Sequence, residues 1–295
     1  LVLGKEISDV DIATSATPEE VKSLFSHTVD VGIEHGTVLV LHHHDSYEVT
    51  TFRTEGTYQD FRHPDSVTFV RSLEEDLMRR DFTINALAVN DKEEIVDYFG
   101  GIEDLEREII RCVGNPMERF NEDALRMMRA VRFAGQLGFT IESDTFNAIR
   151  TLKANLERVA VERMKVEFEK MILSPHRALA FKAFVESELY HSCPDFKEAK
   201  ETLLKLGEFP LEKMTITQAW ILFAYYEQLT VPQLRKVLKD WKSSNDQIST
   251  ILTGYQTLLA RLEKEWDAFL AYECPEDLAI EVEQLLPGIG HSEQL

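Results

Sequence analysis

Two hydrophobic periods divide the chain. Up to about residue 110, apolar residues alternate with polar ones or gather in short β-branched runs; from Asn115 onward they recur at helical spacing. Residues 7–14 read as a strand. Thr17-Pro18-Glu19-Glu20 supplies an N-cap and first turn for a short helix through Phe25. Residues 36–41 and 47–53 form two β-rich runs around His42-His43-His44-Asp45-Ser46, which predicts a hairpin. Residues 56–65 are polar and irregular and predict a mobile loop. Residues 84–89 and 94–98 read as further β or mixed segments before Gly100-Gly101. The helical remainder is interrupted near Gly138, Pro175, Pro194, Pro210, Pro232, Asn245 and Pro275. The expected organisation is a small α/β head (1–110), a helical neck (111–175) and a helical body (176–295).

Residues 122–132 read as one continuous helix. Glu122 and Asp123 suit its first turn, and Leu125, Met128 and Val131 share a face. Asp123, Arg126, Arg129 and Arg132 recur every third residue, a row that climbs about 13 Å and winds slowly around the axis. Two readings stand. The row is a solvated face with Asp123 and Arg126 as an i,i+3 pair. Alternatively it follows a ligand with a flat polar end and an anionic end, such as a nucleoside triphosphate.

The 295 residues suit about two domains. No apolar run approaches the length of a membrane span, and no signal peptide is visible in the sequence. Cys112, Cys193 and Cys274 are far apart, without C-x-x-C, which argues against disulfides or zinc and for a reducing cytoplasm. With 32 basic and 52 acidic residues, the net charge of −20 is unlike a generic nucleic-acid binder. It favours cations near clustered carboxylates.

Asp9 and Asp11 alternate with Val10 and Ile12, so strand periodicity places both carboxylates on one face. Glu48, opposite in parity to Tyr47 and Val49, can add a third from a neighbouring strand. Three carboxylates on two strands suit Mg²⁺ and two-metal phosphoryl transfer; the plainer reading is a solvent-facing strand edge. The histidine run at a polar turn is a solvated tract or a metal tract.

Arg79-Arg80-Asp81-Phe82-Thr83-Ile84-Asn85-Ala86 is more specific. It resembles the R-R-D-F-T-x-N-A motif of the tRNA nucleotidyltransferases, the CCA-adding enzymes of the bacterial and eukaryotic class and their poly(A) polymerase kin. Asp9-Val10-Asp11-Ile12-Ala13-Thr14 resembles that family's metal-binding strand, and Tyr58 to Pro64 its flexible loop. Phe99-Gly100-Gly101 with Asp104-Leu105 resembles its hinge. Glu122-Asp123-x-x-Arg126 with Arg129 and Arg132 resembles its base-reading helix. The family's G-G-x-V-R-D loop and tRNA-gripping tail are absent from the sequence, so a fragment is expected.

The resemblance implies an α+β head of the polymerase-beta-like nucleotidyltransferase type, a small mixed sheet with helices, followed by an all-α region. It implies template-independent addition of CCA to the 3′ end of tRNA from CTP and ATP. Asp9, Asp11 and Glu48 would be catalytic, with Asp9 and Asp11 holding Mg²⁺. Arg80 would touch the incoming nucleotide, and Asp81 and Asn85 would lie near its ribose. Asp123 would accept from the exocyclic amino group of cytosine or adenine and Arg126 would donate to the ring, with Arg129 and Arg132 extending toward the phosphates. The alternatives are an A-adding enzyme or poly(A) polymerase, or an RNA-binding scaffold on an inactive head. A nucleotide hydrolase finds no H-D pairs among the helices. Oligomeric state stays open, a homodimer included. So does tRNA docking, for which Arg235, Lys236, Lys239 and Lys242 with Trp241 offer a basic segment that also reads as a solvated face.

Overall fold

The computed structural model describes residues 1–56, 64 and 66–291. It divides into two compact units: Leu1–Glu106 with Cys112–Asn115, and Arg107–Arg111 with Pro116–Leu295. The expected loop at 58–64 lies almost wholly outside the described residues.

The first unit is built on a mixed four-stranded sheet of order β1-β4-β3-β2, from β1 (Asp11–Thr14), β2 (Thr28–Gly32), β3 (Thr37–His42) and β4 (Asp45–Thr51). β1 runs parallel to β4, and β3 is antiparallel to both of its neighbours. The turn between β3 and β4 is the expected hairpin, with His43 and His44 at φ 49° and 74°. Positive φ at both central residues matches the right-handed twist of the strands. Helix α1 (Pro18–Leu24) carries the capping box read from Thr17 and Glu20, and Val21 packs on Val38, Val40 and Val49.

The strand expected over 7–14 is paired only from Asp11, because the ladder to β4 begins at Asp11 opposite Glu48. Asp9 and Val10 precede it. The apolar side of β1 is not buried either: Val10 and Ile12 are 55% and 41% exposed.

The sheet is followed by the pair β5 (Arg53–Glu55) and β6 (Val67–Phe69), helix α2 (Leu73–Met78), and the pair β7 (Leu87–Val89) and β8 (Ile95–Asp97). Helix α3 (Gly101–Glu106) is capped by Asp97, whose carboxylate accepts from Gly101 N at 2.9 Å and Ile102 N at 3.0 Å. Between α2 and β7 the Arg79–Ala86 run forms a 3-10 turn at Thr83–Asn85, pinned by fully buried Phe82 and Ala86.

The second unit is helical apart from the short parallel pair β9 (Ile109–Ile110) and β10 (Thr140–Ile141). Its first helices are α4 (Pro116–Glu122), α5 (Leu125–Leu137), α6 (Ser143–Leu152) and α7 (Val161–Ile172). They continue through α8 (Arg177–Glu186), α9 (Lys200–Glu208), α10 (Ile216–Tyr226) and α11 (Val231–Asp240). α12 (Asn245–Glu263), α13 (Ala268–Glu273) and α14 (Glu276–Glu283) complete it. The core of this unit is aromatic: Phe168 lies against Phe181, Phe196, Trp220 and Trp241 with ring centroids 5.1–5.9 Å apart. Trp241 is fully buried and donates to the Pro194 carbonyl at 3.0 Å, so the basic segment at 235–242 presents no aromatic for a base to stack on. Lys236 is bound to Asp195 and Asp240.

Residues 122–132 are two helices and not one. α4 ends at Glu122, and α5 starts at Leu125. The Asp123 carboxylate accepts from Leu125 N at 3.1 Å, a local turn that competes with helical continuation.

Gly101 meets the 3-10 turn closely: a Cβ there would lie 2.3 Å from the Thr83 carbonyl oxygen and 2.9 Å from Leu87 Cδ2. The carbonyl belongs to backbone and cannot swing away. Gly101→Ala is expected to destabilise the first unit by about 1–3 kcal/mol, read from denaturant midpoints. An unchanged midpoint would show that α3 can lift off the turn freely.

Candidate functional site

The candidate residues fall into two sets, one in each unit. In the first unit, the sheet places Asp11 directly opposite Glu48 on neighbouring parallel strands. Register partners project to the same face, so these two exposed carboxylates stand side by side. Asp9 lies two residues upstream, also exposed, and outside the ladder. Among the described residues no group of three His, Cys, Asp or Glu side chains is gathered closely enough to hold a metal as placed, at the histidine turn or at these carboxylates. The donors themselves suit a hard divalent cation: all are carboxylate oxygens, open to solvent.

The Arg79–Ala86 run supplies the next residues. Phe82 forms an isolated antiparallel bridge to Cys112, and Val113 N donates to Asp81 O at 3.0 Å. Thr83 Oγ1 donates to Asp104, which is 4% exposed, at 2.6 Å. Asp81 Oδ1 accepts from Phe82 N at 2.7 Å and from Asn85 Nδ2 at 3.2 Å. Asp81 and Asn85 are therefore brought together, with Asn85 exposed.

Arg80 belongs to a charged cluster that periodicity did not reveal. Asp76, 1% exposed on α2, accepts from Arg79 and Arg80 at 3.4 Å each and from Arg53 N at 3.1 Å. Glu55 adds ion pairs to Arg53 at 3.1 Å and Arg79 at 3.6 Å. Burial pulls the Arg79 guanidinium below the usual arginine range; Arg53 and Arg80 push the same way, while Asp76 and Glu55 oppose them.

In the second unit the break between α4 and α5 displays Asp123. Its carboxylate is gripped by Arg163 of α7, with Nη2 to Oδ2 at 3.0 Å and Nη1 to Oδ1 at 3.5 Å. Arg126 does not pair with Asp123. It reaches back to Glu122 Oε2 at 2.7 Å and the Arg119 carbonyl at 3.2 Å, so the i,i+3 pair of the plainer reading is replaced by an i,i+4 pair. Arg129 is half-buried, its guanidinium carbon 5.3 Å from the Phe133 ring centre. Arg132 is 6% exposed and bonded to Glu167 of α7 and to Gln136 Oε1 at 2.7 Å, and it lies over Phe133 at 4.2 Å. These contacts hold Arg132 in the packing between α5 and α7.

Arg163 and Glu167 were missed by the sequence reading. The available signal was modest: they sit one helical turn apart on α7, beside the buried stripe of Met164, Phe168 and Met171.

No helix among the described residues is long and apolar enough to cross a membrane. The three cysteines are buried and none is in a disulfide.

Comparison with known proteins bears on these sets. The family model described as poly A polymerase head domain matches residues 1–111. A model described as a probable RNA and SrmB-binding site of polymerase A matches 138–200, and one described as tRNA nucleotidyltransferase domain 2, putative, matches 211–295. The CCA-adding enzyme of Enterococcus faecalis is 52% identical over 97% of this chain and 70% of its own length. That of Ligilactobacillus salivarius is 53% identical over 86% of this chain and 63% of its own length. The chain thus spans about two thirds of the length of the curated relatives it matches. The crystal structure of the Bacillus stearothermophilus CCA-adding enzyme in complex with CTP superposes with a TM-score of 0.88 at 39% identity, covering 98% of this chain and 71% of that one. On this combination of head fold, Arg79–Ala86 motif and overall similarity, the chain belongs to the tRNA nucleotidyltransferase family of the CCA-adding enzymes.

Proposed function

We propose that the chain carries the nucleotidyl-transfer activity of a CCA-adding enzyme, which extends the 3′ end of tRNA with CTP and ATP and releases pyrophosphate. The observation that carries this reading is Asp123 at the α4–α5 break: its carboxylate is fixed by Arg163, with Arg126 one turn along. A fixed carboxylate accepts from an exocyclic amino group, and a guanidinium beside it donates to a ring acceptor. Cytosine and adenine offer both; uracil and guanine set a carbonyl against the carboxylate. A polar site leaves such a mismatch unpaired and rejects it.

The remaining roles follow from the chemistry of each group. Arg80 contacts the incoming nucleotide, and Asp81 with Asn85 faces the ribose, where the 2′-hydroxyl marks a ribonucleotide. Arg129 extends the arginine row. Asp9, Asp11 and Glu48 hold divalent metal, Mg²⁺ by donor type. Magnesium bound there would lower the pKa of the attacking 3′-hydroxyl and neutralise the triphosphate. The neck (111–175) and body (176–295) division and a cytoplasmic setting belong to the same reading; three buried cysteines outside any disulfide favour the latter. A-only addition is not favoured, since the relatives reported above carry the CCA-adding name.

The deciding assay supplies tRNA lacking its terminal nucleotides with CTP alone, ATP alone, and both. Addition of C, C and then A is expected. Incorporation of ATP alone identifies the A-adding activity instead, and no incorporation identifies a scaffold. Asp11→Ala is expected to cut incorporation at least about a hundredfold, more than loss of a residue behind the metal ligands costs, while gel-shift affinity for tRNA is kept. Activity within a few-fold of wild type sinks the metal assignment. Asp123→Ala is expected to reduce discrimination against UTP and GTP by roughly 10- to 100-fold, measured as ratios of kcat/KM. Unaltered ratios refute base reading by this residue.

A further inference from the structure

We propose that Asp76 is the positioning residue for Arg80, holding its guanidinium in place for the incoming nucleotide. This rests on the reading of Arg80 given above. Asp76 itself touches no ligand. It is 1% exposed, at the foot of a helix whose last regular residue is Met78. Arg79 caps that helix and Arg80 leaves it, so neither arginine is fixed by continuing helical backbone. Both instead fold back by three and four residues onto the same carboxylate, Arg79 on Oδ1 and Arg80 on Oδ2, each at 3.4 Å. Oδ1 also accepts from Arg53 N at 3.1 Å, which ties α2 to the start of β5.

Three observations separate this arrangement from an ordinary buried ion pair. First, Arg53, Arg79 and Arg80 converge, and like charges do so only around anions. Asp76 and Glu55 are the carboxylates they share, and Asp76 is the one that Arg80 touches. Second, Arg80 keeps 35% of its side chain exposed while Asp76 keeps almost none, so the carboxylate pins one guanidinium nitrogen, Nη2, and leaves part of the side chain open. Third, Arg80 Nε, like Arg53 Nε, is buried with no hydrogen-bond acceptor, so the cluster holds more donors than its carboxylates take. A guanidinium with one nitrogen pinned and part of its side chain open is placed to meet an anionic ligand. Triphosphate is common to CTP and ATP, so the effect of Asp76 falls on both nucleotides alike.

The test is a double-mutant cycle in the complete enzyme. Asp76→Asn keeps the shape of the side chain and an acceptor for Arg53 N but removes the charge. The expected result is a rise in KM of about tenfold for CTP and ATP alike. The melting temperature should fall, because two guanidiniums lose a buried partner, while the enzyme stays folded at the assay temperature. In an Arg80→Ala background the same change should alter KM by less than about twofold, because the residue it acts through is gone. If the rise in KM persists in that background, or appears only in kcat, the positioning role is overturned while the reading of Arg80 stands. If Arg80→Ala alone leaves KM at the wild-type value, both fall. Should Asp76→Asn fail to fold, Asp76→Glu runs the same cycle: its displaced carboxylate raises KM in the wild-type background and not in Arg80→Ala, and a rise in both overturns the proposal.

Discussion

Helix α7 holds α5 and the break that precedes it by two ion pairs of opposite polarity, and the candidate base-reading geometry depends on them. Arg163 grips Asp123 at one end, and Glu167 binds Arg132 farther along. The second pair is almost dry, with side chains 7% and 6% exposed. Burying two charges is costly, and removing one partner of such a pair typically costs about 3–5 kcal/mol because the other is left uncompensated. Such pairs contribute registry more than net stability: α5 cannot slide or rotate against α7 without separating both. Asp123 therefore stands at a fixed place although it lies in the break between two helices. A carboxylate there is spared from regular backbone hydrogen bonding, apart from its one bond to Leu125 N.

Much of the local structure was legible because its causes are local. The Thr17–Glu20 capping box formed as read, and the histidine turn closed the expected hairpin. The Arg79–Ala86 motif proved to be a largely buried run around a 3-10 turn, with Asn85 its one exposed residue. What the sequence hid was set by partners remote in the chain. The expected Asp123–Arg126 pair had ideal spacing, yet Arg163, 40 residues away, took the carboxylate, and Glu122 took the guanidinium. Spacing states which side chains can meet on an isolated helix. It does not rank them against a tertiary neighbour that arrives with a better-aligned fork of donors. The break at Asp123 was hidden for a related reason: residues 122–132 carry good helix formers throughout, and one Asx-type hydrogen bond outweighed them.

β1 failed in another way. The alternation of Asp9, Val10, Asp11 and Ile12 correctly sets parity, so Asp11 and Glu48 share a face. Parity does not say where a ladder starts. That depends on the neighbouring strand, and β4 reaches β1 only from Glu48 onward. The exposure of Val10 and Ile12 follows, since an apolar face is buried only where something packs on it.

The acidity of the whole chain is a poor guide to its candidate nucleotide-facing parts. A net charge of −20 is summed over the entire surface, whereas an anionic ligand meets the field within about a Debye length, roughly 8–10 Å. Within that reach, the first unit sets Arg53, Arg79 and Arg80 around Asp76 and Glu55. Asp76 is buried and its oxygens are already accepting hydrogen bonds, so its charge is turned inward, while Arg80 keeps an open face. The acid thus does more than neutralise: it allows three guanidiniums to stand together and leaves the outward-facing charge positive. In the second unit the carboxylates near Arg126 and Arg132 are likewise engaged, Glu122 and Glu167 each closing on an arginine. An excess of acids elsewhere is compatible with such local cationic sites because distant exposed charges are screened, and those close at hand are paired.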